Sequence, residues 1–300
     1  MILITDVSSR MGSHLAMDFL KSGQKVRGID ESRGQMARLI SEGLDAATGQ
    51  IDDPVFLSST FEQVESVFFI IPLHANREDS YRHYFINLAN TMTKVVRESA
   101  VRNIFLISSM GADEKEEAGF LSAYGEVEEI LDTLELETIT LIRPGYFMDH
   151  LLPKISMIRT KDMIGDVING DTPLYFTSIK DVASTITTMY QENSFFGRSK
   201  VELYSDKMSL RRAVKIIGEY IDIPELPFVQ MGDQEYRNHL LEEGASISFA
   251  NMYTEMAHAI SRGAMVPALI DPQTPNLPTR VEEFIENVFV PAYKSGSEEL

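Results

Sequence analysis

Met1-Ile-Leu-Ile-Thr-Asp6-Val-Ser-Ser9-Arg-Met-Gly12-Ser-His-Leu15 opens the chain, and this stretch decides its fold. An apolar run, a short polar turn and an apolar-periodic segment predict a strand, a turn and a helix. A dinucleotide-binding domain begins in this way, with the pyrophosphate of the cofactor on the helix N-terminus. Such a turn typically carries three glycines. Here Gly12 is present, while Asp6 and Ser9 occupy the other two positions.

Composition limits the classes of function. The 300 residues carry a formal net charge of -18, which disfavours nucleic acid and anionic membranes as partners. The chain has no cysteine, which excludes disulfides, thiolate metal sites and a cysteine nucleophile. No apolar run reaches membrane-spanning length, and the first strand begins at Met1 without room for a signal peptide. We expect a cytoplasmic protein, a monomer or a homodimer.

Strands and helices alternate through the first half of the chain. After the opening strand, further strands are predicted within residues 25–31, 43–54, 66–72, 102–109 and 137–144, with helical segments near residues 36–40, 57–64, 81–99 and 126–134. The run 66–72 is apolar throughout, as strands buried on both faces of a parallel sheet are. The alternation predicts an α/β fold with a Rossmann-type doubly wound parallel sheet.

Beyond residue 144 this alternation breaks down. Pieces of strand at 173–176 and 200–204 alternate with helices near 181–190 and 210–220, and residues 233–263 are helical in pattern. We predict a Rossmann domain over residues 1–150 and a smaller C-terminal α+β substrate lobe over residues 151–300, with some strands of the lobe returning to the main sheet. The lobe should cover the carboxyl ends of the strands, where open α/β sheets bind ligands.

Several later motifs carry a family resemblance. The most specific is Thr138-Ile-Thr-Leu-Ile-Arg143-Pro-Gly-Tyr-Phe-Met-Asp149, which is similar to a segment reading roughly T-I-L-R-P-G-F-F-M-E-N. Further matches lie at residues 68–72, 107–113, 125–131, 176–183 and 278–284. With these motifs the chain resembles, over essentially its whole length, the NmrA-like family of atypical short-chain dehydrogenases/reductases. The resemblance implies either an NAD(P)H-dependent reductase or a cofactor-sensing regulator without catalysis.

The first turn departs from the family pattern, T-G-A-T-G-x-x-G, which falls on residues 5–12. Gly12 keeps the glycine that lets helix and strand pack closely. At Asp6 a side chain replaces glycine, which costs about 1–3 kcal/mol unless the turn has changed shape, and its charge would face the pyrophosphate. Ser9 places a hydroxyl on the path of the diphosphate. Alternatively, Ser8 or Ser9 serves only to cap the helix.

Further cofactor contacts are also altered. Relatives that select NADP usually carry a basic residue at the tip of the second strand, where this chain has Asp30 and Glu31. An acid there either binds the ribose hydroxyls of NAD or is a solvated strand end. The Gly-Asp pair of the family near the adenine becomes Gly49-Gln50. The residues that the resemblance assigns to the cofactor are Asp6, Ser8, Ser9, Arg10, Met11, Gly12, Asp30, Gln50 and Pro72.

These changes set the expectations for the cofactor. They argue against NADP(H), leave NAD(H) as a possible but weak ligand, and leave a protein without any dinucleotide as a third alternative. No spacing of His, Asp or Glu indicates a metal site.

Four side chains are candidates for catalysis. The usual Tyr-x-x-x-Lys pair of the superfamily, in which lysine lowers the tyrosine pKa, becomes Tyr124 followed by Glu128, which would not do that work. Tyr124 then lines the pocket or only begins a helix. Ser109 matches the usual hydroxyl position loosely, or it caps a turn. His74 and His150 follow strands at one edge of the sheet, so they are a candidate acid and base or two unrelated loop residues.

The resemblance also implies a pocket for an apolar or aromatic small molecule. Its lining residues would be His83, Tyr146, Phe147 and Met148. The sequence therefore favours a small-molecule enzyme with altered or lost dinucleotide use, performing acid–base chemistry such as cyclisation, isomerisation or dehydration on an aromatic or polyketide-like compound. An NAD(P)H-dependent oxidoreductase and a non-catalytic sensor or regulator are the alternatives.

Overall fold

A parallel sheet flanked by helices forms the framework of the protein, and the computed structural model describes residues 1–77, 80–115, 117–271 and 276–295. The strands are β1 (Ile2–Ile4), β2 (Val26–Asp30), β3 (Asp45–Thr48), β4 (Ser66–Phe69), β5 (Asn103–Ile107), β6 (Thr138–Pro144), β7 (Tyr146–Phe147), β8 (Ile164–Asp166), β9 (Pro173–Thr177), β10 (Gly197–Leu203), β11 (Asp206–Ser209) and β12 (Phe228–Gln230). The order of the main sheet is β10-β6-β5-β4-β1-β2-β3, all pairs being parallel. The predicted Rossmann-type α/β fold is confirmed.

Helices cover both faces of this sheet. They are α1 (Arg10–Lys21), α2 (Ala37–Ser41), α3 (Pro54–Ser59), α4 (Tyr81–Arg97), α5 (Phe120–Leu131), α6 (Lys154–Lys161), α7 (Ile179–Gln191), α8 (Leu210–Tyr220), α9 (Asp233–Glu242), α10 (Ile247–Ser261), α11 (Val281–Phe284) and α12 (Val290–Ser295), with a 3-10 turn at Met148–Leu151 and a π turn at Ile285–Phe289. The elements after β7, other than β10 and α7, form the part of the molecule that is called the lobe below. Within the described ranges, no helix combines the length and the apolar character that a membrane crossing requires.

The apolar runs of the sequence become the centre of the sheet. Every residue of β4 and β6 is buried, because helices cover these strands on both sides. Phe68 on β4 stacks on Phe105 of β5, with ring centroids 4.6 Å apart. The second half of the chain contributes to the same sheet, since β10 pairs with β6 along its whole length. Two smaller sheets, β11-β9-β7 and β12-β8, lie in the second half.

Three helix boundaries differ from the sequence prediction, each for a local reason. The helix predicted at 126–134 begins at Phe120, directly after Gly119, whose φ of 56° turns the chain into the helix. The helix predicted at 57–64 begins at Pro54, because the Asp53 side chain accepts hydrogen bonds from the first amides. The segment predicted as one helix over 233–263 divides into α9 and α10 beside Gly244, whose φ is 88°.

Candidate functional site

The first turn keeps a backbone shape that normally requires glycine. Asp6 has a φ of 50°, in the left-handed region. Gly12 lies so close to the turn that a Cβ there would stand 2.3 Å from the Asp6 carbonyl oxygen. The strain at Asp6 is therefore maintained by the packing of α1 against the turn.

The two serines of the turn have different surroundings. Ser9 caps α1, because its hydroxyl accepts a hydrogen bond from the Gly12 amide at 3.1 Å and donates to the Asp6 carbonyl oxygen at 2.7 Å. The Ser8 hydroxyl oxygen is buried and has no hydrogen-bond partner among the described residues. An unsatisfied hydroxyl beside a helix N-terminus fits a site for an anionic group such as a diphosphate.

Asp6 adds an unfavourable charge to this site. Burial, with the nearby charge of Asp30 as the next cause, raises the pKa of Asp6 from 3.8 to about 6. Its carboxyl is therefore mostly ionised at neutral pH, where its charge would oppose a diphosphate. Below pH 6 the protonated carboxyl loses this charge and gains a hydrogen-bond donor.

Asp30, the last residue of β2, is bonded to the first turn. Its carboxylate accepts hydrogen bonds from the amides of Ser8, at 3.3 Å, and Ser32, at 3.0 Å. Asp30 thus braces the first turn. Glu31 and Arg33 are exposed just beyond it, and no described residue forms an ion pair with Arg33. The sequence prediction missed Arg33 because it looked for a basic residue at the strand end itself, two or three positions earlier.

Other residues assigned to the cofactor lie around this turn. Gln50 is exposed after β3, while Met11 and Pro72 are buried. Arg10, the first residue of α1, pairs with Asp149 through an Nε–Oδ1 distance of 2.5 Å. This ion pair connects the first turn to the 3-10 turn that carries His150.

A cavity of about 360 Å³ opens at the carboxyl ends of β5 and β6. The loop after β5 contributes Ser108 and Ser109, and α9 and α10 of the lobe form the opposite wall. Two contacts fasten α10 to the Rossmann half beside the cavity: the Ser246 amide donates to the Ala75 carbonyl, and the Tyr81 amide to the Ser248 hydroxyl. The lining is mainly aromatic and apolar and includes Leu73, Phe120, Tyr124, Tyr146, Phe147, Tyr236, Leu240, Phe249, Tyr253, Met256 and Met265.

The histidine candidates are not brought together in this cavity. His150 lines it, and desolvation by the surrounding protein lowers the His150 pKa to about 4, so the ring is neutral at physiological pH. His74 is exposed on the loop after β4 and does not line the cavity. His83 is exposed in the first turn of α4, and Met148 is buried in the core of the lobe. Tyr146 and Phe147 do line the cavity.

The position of the usual catalytic lysine has become part of an ion cluster. Glu128 accepts hydrogen bonds from Arg143, with Nη2–Oε2 at 2.5 Å, and from the Ser108 hydroxyl at 2.6 Å. Arg143 also bonds Asp113. Tyr124 lines the cavity, and burial raises its pKa well above 10, so it is a neutral phenol. The Ser109 hydroxyl donates to the carbonyl of Met110 at 2.9 Å.

A second charged cluster lies at the cavity wall formed by the lobe, and the sequence prediction missed it. Lys154 donates to Asp166 at 2.6 Å, to the Gly165 carbonyl at 3.1 Å and to the Tyr236 hydroxyl oxygen at 2.7 Å. The Tyr253 hydroxyl donates to Asp166 at 2.9 Å. No motif joins these residues, because they come from four separate elements spread over 100 positions. Across the described ranges, no group of His, Asp and Glu is arranged to hold a metal ion.

The fold and the site define a class: a Rossmann-type protein with a small-molecule cavity between its sheet and an added lobe. The chain belongs to the NmrA-like family, whose model matches residues 1–285. A search of curated proteins finds no match.

Solved structures share this architecture over nearly the whole chain. Triphenylmethane reductase from Citrobacter sp., complexed with NADP(H), is 18% identical with a TM-score of 0.79, covering 95% of this chain and 99% of its own. The NADPH-dependent quinone oxidoreductase of Escherichia coli, complexed with NADPH, is 18% identical with a TM-score of 0.77, covering 96% and 100%. NmrA, a negative transcriptional regulator in complex with NADP, is 12% identical with a TM-score of 0.71, covering 99% and 97%.

This comparison corrects the expectation for the cofactor. The argument against NADP(H) is wrong, since all three of these similar structures hold NADP(H). The prediction failed because it interpreted the acidic end of β2 as facing the cofactor. Asp30 braces the turn from within, and Arg33 supplies a basic side chain beyond it.

Proposed function

We propose that this protein is an NADP(H)-dependent oxidoreductase that acts on a flat, mainly aromatic small molecule. The observation that carries the proposal is the connection between the first turn and the cavity. Arg10, at the start of the turn's helix, pairs with Asp149, and the next residue, His150, lines the cavity. Residues suited to a dinucleotide and residues suited to an apolar ligand are therefore neighbours.

The residues present fit the cofactor, with one unfavourable contact. The Ser8 hydroxyl and the amides at the N-terminus of α1 would hold the diphosphate, and Arg33 the 2′-phosphate. Asp6 opposes the diphosphate when it is ionised. When bound in its reduced form, the cofactor supplies a hydride. The similar solved structures that hold NADP(H) support this assignment, and they offer no support for cyclisation, isomerisation or dehydration.

The cavity indicates the kind of ligand. Its volume of about 360 Å³ lies in the range of small-molecule sites. Aromatic side chains in the cavity lining, such as Phe120, Phe249 and Tyr146, favour stacking or edge contacts with a planar ring system. His150 is neutral, so it offers a hydrogen bond without placing a charge in an apolar site.

Calorimetric titration with NADPH, NADP⁺ and NADH tests the cofactor. We expect NADPH to bind more tightly than NADH. Arg33→Ala should weaken NADPH binding about tenfold, because a charge-assisted hydrogen bond is lost, and leave NADH unchanged. Arg38→Ala removes another exposed arginine, on α2, and should change neither. Failure of NADPH to bind at millimolar concentration contradicts the proposal.

Oxidation of NADPH in the presence of one- and two-ring quinones, aromatic ketones and cationic dyes tests the reaction. We expect turnover with at least one of these compounds. NADPH that binds tightly but is oxidised by none of them favours a sensor of the kind represented by the NADP-bound regulator.

A further inference from the structure

The hydrogen bonds of Lys154 leave it no donor for a ligand. Its three N–H groups point to Asp166, the Gly165 carbonyl and the Tyr236 hydroxyl oxygen. An ammonium group has three donors, so all are used within the protein. Burial alone would lower the Lys154 pKa, but Asp166 and the neighbouring tyrosines raise it, and the group stays charged. Lys154 can therefore act on a ligand only through a residue that it contacts.

Tyr236 is that residue. Its hydroxyl oxygen accepts the hydrogen bond from Lys154. The Tyr253 proton is directed to Asp166. Among the described residues, none accepts the proton of Tyr236 in a hydrogen bond. Tyr236 lines the cavity, and burial raises its pKa above 10, so this proton is present at physiological pH.

The cost of this arrangement indicates a role beyond stability. Lys154 and Asp166 are 6% and 0% exposed, and removing two charges from water costs several kcal/mol for each ion. Apolar residues of similar volume would hold α6 and β8 together as well. A buried ion pair in contact with a ligand cavity instead provides a fixed field at the point where charge changes during a reaction.

We propose that the Tyr236 hydroxyl donates a hydrogen bond, and then its proton, to a carbonyl oxygen of the ligand, so that the substrate is an aromatic quinone or ketone. The proton transfer rests on the proposed reductase function. The hydrogen bond from Tyr236 to the ligand requires only that the ligand binds in the cavity. Tyr236 is then a catalytic residue, while Lys154 and Asp166 are positioning residues.

The step is balanced as a two-electron reduction. When bound, the reduced dinucleotide would supply a hydride that forms a new C–H bond, at the carbonyl carbon of a ketone or at a conjugated ring carbon of a quinone, and the displaced electron pair of the π system would move to the carbonyl oxygen. The O–H bond of Tyr236 breaks and its proton passes to that oxygen. The Lys154 ammonium, 2.7 Å away, stabilises the phenolate until solvent returns a proton.

Infrared difference spectroscopy of bound 2-methyl-1,4-naphthoquinone, ¹³C-labelled at its carbonyls, tests the hydrogen bond without any cofactor. In the wild-type chain we expect one carbonyl stretch at lower frequency than in an apolar solvent. Tyr236→Phe should abolish this shift and raise the dissociation constant about tenfold. Tyr204→Phe is the matched control, because this buried hydroxyl donates to the Asp271 carbonyl away from the cavity.

A second variant covers the case in which Tyr236→Phe fails to fold. Lys154→Met with Asp166→Asn removes both charges and keeps the tyrosine, so the infrared shift should be smaller than in wild type. The single variant Lys154→Arg keeps the positive charge and should show most of the wild-type shift. A shift of wild-type size in Tyr236→Phe, or in the double variant, overturns the proposal. So does a wild type that binds neither this quinone nor 9,10-phenanthrenequinone.

Turnover separates this inference from the proposed function. With NADPH, Tyr236→Phe should lose about a hundredfold or more in kcat and keep the wild-type affinity for NADPH. Equal turnover by wild type and Tyr236→Phe overturns the proton donor and leaves the reductase standing. A hydrogen-bonded carbonyl in a protein that never oxidises NADPH supports the Tyr236 contact and contradicts the reductase.

Discussion

Two buried ion clusters in this chain have similar members and different surroundings. In the Rossmann half, Arg143 bonds Glu128 and Asp113. In the lobe, Lys154 bonds Asp166 and Tyr236. The first cluster reaches the cavity only through Ser108, whose hydroxyl donates to Glu128. The second cluster contributes side chains to the cavity wall itself.

The comparison separates a structural cluster from a candidate reactive one. Glu128 occupies the position where the superfamily usually has lysine, and both its oxygens are used to neutralise Arg143. The buried Arg143 and Glu128 are bonded to each other, while the Asp113 side chain is largely exposed to solvent. In the lobe, the proton of Tyr236 has no described acceptor. We therefore choose the candidate reactive group by its uncommitted donor at the cavity, and not by burial or charge alone.

The largest expected effect is the loss of stability on breaking the first cluster. Arg143→Met leaves Glu128 buried without a counter-charge and should lower the free energy of unfolding by about 3–5 kcal/mol. Urea unfolding measures this loss. Arg198→Met removes an exposed arginine paired with Asp132 and should cost less than about 1 kcal/mol. Equal losses in the two variants would show that the Arg143 cluster does not stabilise the fold.

The second expected effect is on turnover rather than stability. Lys154→Met with Asp166→Asn removes both charges together, so the free energy of unfolding should change by less than about 2 kcal/mol. The kcat for quinone reduction should fall about a hundredfold, because the Tyr236 phenolate loses its counter-charge. Lys200→Met, which removes an exposed lysine bonded to Asp113, should leave kcat unchanged. A kcat loss no larger than that of the control contradicts the role of the lobe cluster.

The fold could be predicted from the sequence, because it depends on patterns within short segments. The apolar run at 66–72 and the strand–turn–helix at residues 1–15 each indicate their structure without distant contacts. The helix boundaries were less predictable. Gly119 and Gly244 end or begin helices through backbone angles that the periodicity of apolar residues does not reveal.

The site was predictable only where the family motif runs through it. Tyr146 and Phe147 belong to one motif, His150 follows it directly, and all three line the cavity. Lys154, Asp166 and Tyr236 meet because α6, β8 and α9 pack together, and no sequence spacing indicates that contact. His74 shows the converse: it lies at the correct edge of the sheet, but its loop leaves it exposed away from the cavity.

A third prediction concerns how the free energy of unfolding depends on pH. Asp6 differs from the carboxylates of the two clusters in that no cation is bonded to it among the described residues. The folded-state pKa of Asp6, about 6, exceeds its ordinary value of 3.8. Its contribution to stability is therefore complete below pH 4 and is lost as pH rises through 6. Between pH 4 and pH 8, wild type should lose about 1–2 kcal/mol more than Asp6→Asn in urea unfolding. If the free energy of unfolding varies with pH in the same way in wild type and Asp6→Asn, the raised pKa of Asp6 is contradicted. Asp222→Asn, in an exposed loop, is the control and should show the pH dependence of wild type.

The smallest expected effect is a gain of cofactor affinity in the first turn. Asp6→Gly removes a carboxylate that, in the proposed cofactor site, would oppose the diphosphate above pH 6, and it relieves the strain of a φ of 50°. NADPH should bind about tenfold more tightly at pH 8, and the gain should shrink at pH 5, where wild-type Asp6 is protonated. Asp222→Gly relieves the same kind of strain at a φ of 63° far from the turn, so it controls for stability alone. If both variants bind NADPH as wild type does, the Asp6 carboxylate does not face the diphosphate. The first turn would then differ from the Lys154 cluster in how its residues pack, and the charge of Asp6 would have no effect on a ligand.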